Sequence, residues 1–206
     1  MSKPLVSIII SNYNGRELLR ECLTAISKLR YENIEVIIVD AGSTDGSQNM
    51  VRNEFPNFKI VDVKKRIGIG EALNIGIKIA KGDFLVLDLN NDDLVSPDWL
   101  NQLLKCMLLR SDIGIVGGKR LLGDAGKIDS AGGRYVLGLT IALGHGRNKD
   151  DKRYDQFYEV DYVPVFLVRR EVIEKVGLMD TEYFIYGEDT DFCLRAKLMG
   201  YKILYC

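Results

Sequence analysis

The first half of the chain alternates two kinds of segment. Short runs rich in β-branched and other apolar residues occur at Leu5–Ile10, Ile34–Val39, Phe58–Val63 and Phe84–Leu87. They lack clean polar alternation, which predicts strands covered on both faces. Between them, Leu18, Leu19, Cys22, Leu23 and Ile26 fall at helical spacing within Glu17–Leu29, and Ser47–Phe55 and Gly70–Ala80 are further helix candidates. Strand–helix–strand alternation at this spacing predicts parallel strands joined by crossover helices.

The second half is more mixed. Ser96-Pro97-Asp98 reads as a helix start, with Ser as cap, Pro preorganised at the first helical position and Asp at the positive end. A helix over Pro97–Leu109 and a strand at Ile113–Val116 follow. Gly117–Gly146 is glycine-rich and predicts loops, with short antiparallel strands around Arg134–Leu139; Asn148–Tyr154 is a polar loop. Asp161–Val168 reads as a strand, Arg170–Val176 as a helix stopped by Gly177, Asp189–Met199 as a helix stopped by Gly200, and Tyr201–Tyr205 as a last strand. The whole predicts an α/β half and a mixed half sharing one sheet.

Composition narrows the classes. Hydrophobic residues make up 47 % and charged residues 28 % of 206 residues, which excludes a disordered chain, a collagen-like repeat and a disulfide-dense mini-protein. The length fits a single domain. The 28 Lys+Arg and 29 Asp+Glu leave a net charge of −1, which argues against nucleic acid as the main partner but leaves room for a small phosphorylated ligand. Cys22, Cys106, Cys193 and Cys206 form no Cys-x-x-Cys pair and read as core filler. The opening MSKPLVSIII has too short an apolar run for a signal-peptide core, and no stretch approaches the ~20 apolar residues of a membrane span. The expected location is the cytoplasm, with attachment to a membrane face left open.

Ligands of open α/β sheets bind beyond the carboxyl ends of the strands. Three predicted strands end there in polar clusters: Ser11-Asn12-Tyr13-Asn14-Gly15, Asp40-Ala41-Gly42-Ser43-Thr44-Asp45-Gly46-Ser47, and Asp88-Leu89-Asn90-Asn91-Asp92-Asp93. Each alone is what caps and turns require; three at one sheet edge point to a site. An Asp at a buried strand end can accept from a nucleobase edge, and a neighbouring Tyr offers a stacking face. The acidic cluster after Leu87 has the oxygen donors that a divalent cation takes together with substrate phosphate. No P-loop is present, and Gly68-x-Gly70 lacks the rest of a dinucleotide fingerprint. A fourth cluster, Glu188-Asp189-Thr190-Asp191, follows the aromatic loop Tyr183-Phe184-Ile185-Tyr186 at a helix start. It complements the helix dipole, and its adjacent carboxylates in a partly apolar loop also suit a general base.

These motifs, in this order, resemble glycosyltransferase family 2, the inverting nucleotide-sugar transferases of GT-A fold. Val6–Asn14 resembles the first strand and loop, Val39–Ser47 the second-strand motif, Ala80–Phe84 leading to Asn90-Asn91-Asp92 the metal-motif segment, and Phe184–Arg195 the catalytic acidic motif. Asn90-Asn91-Asp92 and Ser130-Ala131-Gly132-Gly133 are similar to the rhamnosyltransferase-like branch.

The resemblance implies a Rossmann-like mixed sheet flanked by helices. It divides a single catalytic domain, 1–206, into a nucleotide-sugar-binding half at 1–95 and an acceptor and catalytic half at 96–206. It places Tyr13 against the nucleobase with Asn12 and Asn14 nearby, and gives Asp40 the base ring NH. Ser43, Asp45 and Asn74 join the donor site, with Asp45 in a role that can be confined to its loop. Asp92 becomes the metal-binding Asp, with Asn90 in place of a first Asp and Mg2+ or Mn2+ as the cation. Asp189 becomes the base for the acceptor hydroxyl, supported by Glu188 and Asp191. The partners implied are a nucleoside-diphosphate sugar and a saccharide or lipid-linked acceptor, with peripheral membrane contact open and no nucleic acid.

The chain departs from the family at Asn90, at Leu73, where many relatives are basic, and in Asp161–Phe166, which lacks a Ser-Gly pair. A non-catalytic nucleotide-sugar-binding protein on the same fold is the alternative. A sugar nucleotidyltransferase fits less well, because the first loop is poor in glycine and holds one Arg, Arg16. The sole histidine, His145, is assigned no chemistry.

Overall fold

The computed structural model describes residues 3–123 and 126–206; Met1-Ser2 of the opening segment and residues 124–125 of the glycine-rich segment lie outside the described residues. The first half forms β1 (Val6–Asn12), α1 (Arg16–Ile26), β2 (Ile34–Asp40), α2 (Ser47–Glu54), β3 (Lys59–Asp62), α3 (Ile69–Ile79) and β4 (Phe84–Asn90). The second half continues with α4 (Trp99–Met107), β5 (Ile113–Gly117), β6 (Arg120–Leu122), β7 (Lys127–Ser130), β8 (Gly133–Val136), β9 (Leu139–Ala142) and β10 (Tyr158–Glu159). It closes with β11 (Phe166–Arg169), α5 (Arg170–Val176), α6 (Glu188–Leu198) and β12 (Lys202–Tyr205).

Among the described residues, eight strands join one sheet in the order β10-β12-β5-β11-β4-β1-β2-β3. β1 to β4 are mutually parallel where they pair, as the alternation predicts. β11 runs antiparallel between β4 and β5, so the two halves share one mixed sheet. β6–β7 and β8–β9 form separate two-stranded ribbons.

Both faces of the sheet are covered. Ile9, Ile37, Leu85, Leu87 and Val168 pack with Leu73, Ile77, Val172 and Phe192 on the α3, α5 and α6 side. Ile8, Ile10, Ile38, Val86 and Leu167 pack with Leu19, Leu23, Val51, Leu103 and Met107 on the α1, α2 and α4 side. That double coverage explains the unbroken apolar runs. No helix among the described residues is long and apolar enough to cross a membrane.

Four expectations are corrected. The fourth strand does not stop at Leu87 but runs to Asn90, through an irregularity at Asp88. The fourth helix begins at Trp99: the Ser96 carbonyl accepts the Trp99 NH (3.1 Å) in a preceding turn, which leaves Ser96-Pro97-Asp98 outside the helix. Of the predicted Asp161–Val168 strand only Phe166–Val168 joins the large sheet, in a strand that runs on to Arg169; Tyr162 makes no more than an isolated bridge to Gly133, and Pro164, which has no NH to donate, lies between the two. Finally, Cys106 and Cys206 are not separate core filler: α4 brings Cys106 to the end of β12, where a disulfide closes a separation of 100 residues. Cys22 and Cys193 are buried and free.

Candidate active site

A cavity of about 610 Å3 opens beyond the carboxyl ends of β1 and β4. The strands turn to loop there because Asn12, Asp40 and Asn90 end their apolar runs. At one end the cavity is walled by Asn12, Tyr13, Ala41, Arg66 and Gly68. At the other end are Asp88, Arg120, Tyr162, Glu188 and Asp189, with Asn90 and Asp92 between.

The first end rests on a closed network. Asn12 donates to the Asp40 carboxylate (2.7 Å) and to Ser43 Oγ (3.2 Å), and accepts from the Asn91 amide (2.7 Å). The second Asp40 oxygen accepts from the Ser43 NH (2.9 Å) and from Gln48 (2.7 Å). Asp40 is fully buried and is not part of the cavity wall. It therefore holds Asn12 from below. Ser43 likewise spends its Oγ on Asn12 and on the Asn14 NH (2.8 Å). Asn14 accepts the Thr44 NH (2.8 Å) and stands outside the wall. Asp45 accepts the Arg16 NH (2.8 Å) and the Ser47 NH (3.0 Å), tying the starts of α1 and α2 together. Burial would raise its carboxyl, but the hydrogen bonds from Ser47 and Arg16 prevail and hold it below the usual range. Asn74 also stands outside the cavity wall. Its amide exchanges two hydrogen bonds with the Met179 backbone (2.8 and 2.9 Å), clamping α3 to the segment after α5, away from the cavity.

Tyr13 does present its ring to the cavity, 43 % exposed. The Arg66 guanidinium lies 4.8 Å from the Tyr13 centroid and 5.4 Å from that of Phe184. This cation between two rings was not legible in the sequence, because Arg66 sits in an ordinary basic turn, Lys64-Lys65-Arg66. Gly68 makes the arrangement possible: a Cβ there would stand 2.8 Å from the Phe184 carbonyl oxygen, which accepts the Ile69 NH (3.0 Å).

At the second end, Gly187 takes a left-handed turn (φ 99°) and starts α6, which carries Glu188 and Asp189 into the cavity. Burial pushes the Asp189 carboxyl up, against hydrogen bonding from Thr190, whose NH lies 2.6 Å away. Burial, and then the Asp189 charge, raise Glu188, whose Oε2 is buried without a partner. Asp191 does not reach the cavity; it pairs with Arg195 (2.8 Å) one turn along α6. Arg120, absent from the expected set, bridges Asp93 (3.1 Å) and Asp129 (3.6 Å). Tyr162 reaches the wall because Gly133 leaves room: a Cβ there would overlap its ring at 2.1 Å.

Asp92 and Asn90 both line the cavity as oxygen donors. Among the described residues no group of three or more His, Cys, Asp and Glu is arranged to hold a metal ion. This donor set fits a hard cation that shares one or two protein oxygens with substrate phosphates, and does not fit an all-protein cage.

The mixed sheet flanked by helices is the GT-A fold. The chain belongs to Glycosyl transferase family 2, whose family model matches residues 7–177. It is 28 % identical over 98 % of its length to the glycosyltransferase GlyG of Streptococcus pneumoniae, of which it covers 67 %. It is 26 % identical over 97 % of its length to the protein y4gI of Sinorhizobium fredii, of which it spans only 23 %. Its fold matches a mannosyltransferase from Pyrobaculum calidifontis in complex with GDP-Man and Mn2+ (TM-score 0.71, 22 % identity, 98 % of this chain and 54 % of that one). It also matches Staphylococcus aureus TarS 1–349 in complex with UDP-GlcNAc (TM-score 0.71, 20 % identity, 97 % of this chain and 55 % of that one).

Proposed function

We propose that the chain transfers a hexosyl or deoxyhexosyl group, with inversion, from a nucleoside-diphosphate sugar to a hydroxyl of a saccharide or lipid-linked acceptor. The observation that carries this is a half-buried carboxylate, Asp189, in the same cavity as the Tyr13–Arg66 stack. The base lies against Tyr13, with Asn12 held rigid beside it. Asp189 takes the acceptor O–H proton as that oxygen bonds to the anomeric carbon. The anomeric carbon–phosphate oxygen bond breaks and its electron pair leaves with the nucleoside diphosphate. A bound Mg2+ or Mn2+ would offset charge on that diphosphate, and Asp92 and Asn90 are the residues that would hold it. Residues 1–95 would serve the donor and 96–206 the acceptor. The exposed Phe184-Ile185-Tyr186 loop suits peripheral contact with a membrane that carries a lipid-linked acceptor. The nearly neutral net charge fits this reading, because a cation and Arg66, not a basic surface, would meet the diphosphate.

Thermal shift with UDP, GDP and dTDP, each with and without Mn2+ or Mg2+, tests the donor site. One nucleotide at ~100 times its Kd should stabilise the fold by ~2.7 kcal/mol. No response to any of them would refute the donor site.

A further inference from the structure

β4 holds one residue more than its neighbour can match. Ile8 of β1 stands opposite Val86, and Ile10 stands opposite Leu89, so two steps on β1 meet three on β4. The side-chain parity confirms it: Leu85 and Leu87 face α3, whereas Leu89 faces α4 together with Val86. The extra residue is Asp88. Its φ of 62° is left-handed, which is unfavourable for any residue with a Cβ. Asp88 is also only 8 % exposed, and its Oδ1 is fully buried with no hydrogen-bond partner. Backbone strain and an orphaned buried oxygen thus fall on one residue, and that residue lines the catalytic end of the cavity.

The surroundings limit what can satisfy that oxygen. Glu188 and Asp189 line the same cavity as Asp88, and Arg120 is already paired with Asp93 and Asp129, which disfavours a phosphate at this spot. A cation held here by protein alone would need several ligands, and among the described residues no group of three or more His, Cys, Asp and Glu is arranged for one; a cation shared with phosphate would sit with the phosphate, at Asn90 and Asp92. A neutral hydroxyl that donates a hydrogen bond fits both conditions. Given the sugar transfer proposed above, on which this rests, we infer that Asp88 accepts a hydrogen bond from a hydroxyl of the transferred sugar and so selects the donor. The bulge re-aims the strand to deliver that carboxyl, leaving Asn90 and Asp92 to the diphosphate.

The test is calorimetric titration of wild type, Asp88→Ala and Asp88→Asn with UDP, GDP and dTDP, then with UDP-glucose, GDP-mannose and dTDP-rhamnose. Asp88→Gly, at ease with a left-handed backbone, replaces Asp88→Ala if the latter does not fold. In Asp88→Ala the Kd for the free nucleotide stays within about twofold, while the Kd and KM for the matching nucleotide sugar rise about 10- to 100-fold. Asp88→Asn, which keeps an acceptor oxygen, recovers part of that loss. A donor deoxygenated at the recognised position loses the same factor on wild type and nothing further on Asp88→Ala. Equal weakening of nucleotide and nucleotide sugar, or of neither, overturns the role of Asp88 while the donor site stands. Loss of Mn2+ binding by Asp88→Ala without nucleotide, read by electron paramagnetic resonance, overturns it in favour of a cation. Failure of every nucleotide to bind wild type overturns the donor site and this inference together.

Discussion

The two ends of the cavity are built on opposite terms. Beneath Asn12, the Asp40 carboxylate receives hydrogen bonds from Asn12, Ser43 and Gln48, and Asn12 in turn is held by Asn91. At the acidic end, Asp88 Oδ1 and Glu188 Oε2 are buried without partners, and Asp88 and Tyr186 hold left-handed backbones. A satisfied network adds rigidity, so the first end is preorganised for a ligand before it arrives. Unpaired buried carboxyls cost stability, so the second end is held in place by the rest of the fold. Satisfied hydrogen bonds are concentrated at the Asn12 end and strain at the acidic end.

Exchanging roles between the ends should fail in opposite ways. The largest effect is expected from Asp189→Asn: sugar transfer, read as nucleoside diphosphate release with acceptor present, falls by about 10^3-fold while nucleotide binding survives. Retained transfer would take the base role from Asp189. Next, Asp40→Ala should leave the chemistry groups untouched yet destabilise the fold by about 3 kcal/mol in urea unfolding, because three donors lose their acceptor. A stability within 0.5 kcal/mol of wild type, a margin of about that of ordinary surface substitutions, would show the network to be dispensable.

The pH profile comes third. On the proposed mechanism the Asp189 proton must be off before transfer, and burial raises its affinity for that proton. The acid limb of kcat/KM should therefore lie above the ordinary carboxylate range and fall about tenfold per pH unit below its midpoint. A limb at the unperturbed carboxylate value would contradict Asp189 as that base. The smallest effect concerns stability at Glu188. Its raised affinity means that the folded chain holds this proton more tightly than the unfolded chain. That contribution is fully present below the ordinary glutamate value and is lost as pH rises through the raised one. Glu188→Gln should thus raise stability by about 1 kcal/mol near pH 8 and leave it unchanged near pH 4. A destabilised variant at pH 8 would mean that Glu188 has a partner in the folded chain.

Much of this was legible from local pattern. The strand and helix positions of the first half follow from apolar spacing, and the Gly177 and Gly200 stops follow from left-handed turns at φ 93° and 89°. Glu188, Asp189, Asn12, Tyr13, Asn90 and Asp92 reach one cavity as the motifs imply. The same motifs could not separate side chains that face the cavity from those that hold them. Asp40, Ser43, Asp45 and Asn14 are adjacent to wall residues in sequence but spend their oxygens on loops and helix starts. Asn74 and Asp191 are turned away by their helices toward Met179 and Arg195.

By itself, the sequence determined the alternation of elements, the burial of the sheet on both faces and the polar strand ends, because each depends on periodicity and on residues within a few positions. Only the tertiary structure decided what depends on contacts between distant segments. It stacked Arg66 between Tyr13 and Phe184, set Arg120 between Asp93 and Asp129, and joined Cys106 to Cys206. It also placed the bulge at Asp88, since strand register is settled by the neighbouring strand, and one extra residue against β1 is enough to turn a carboxyl into the site.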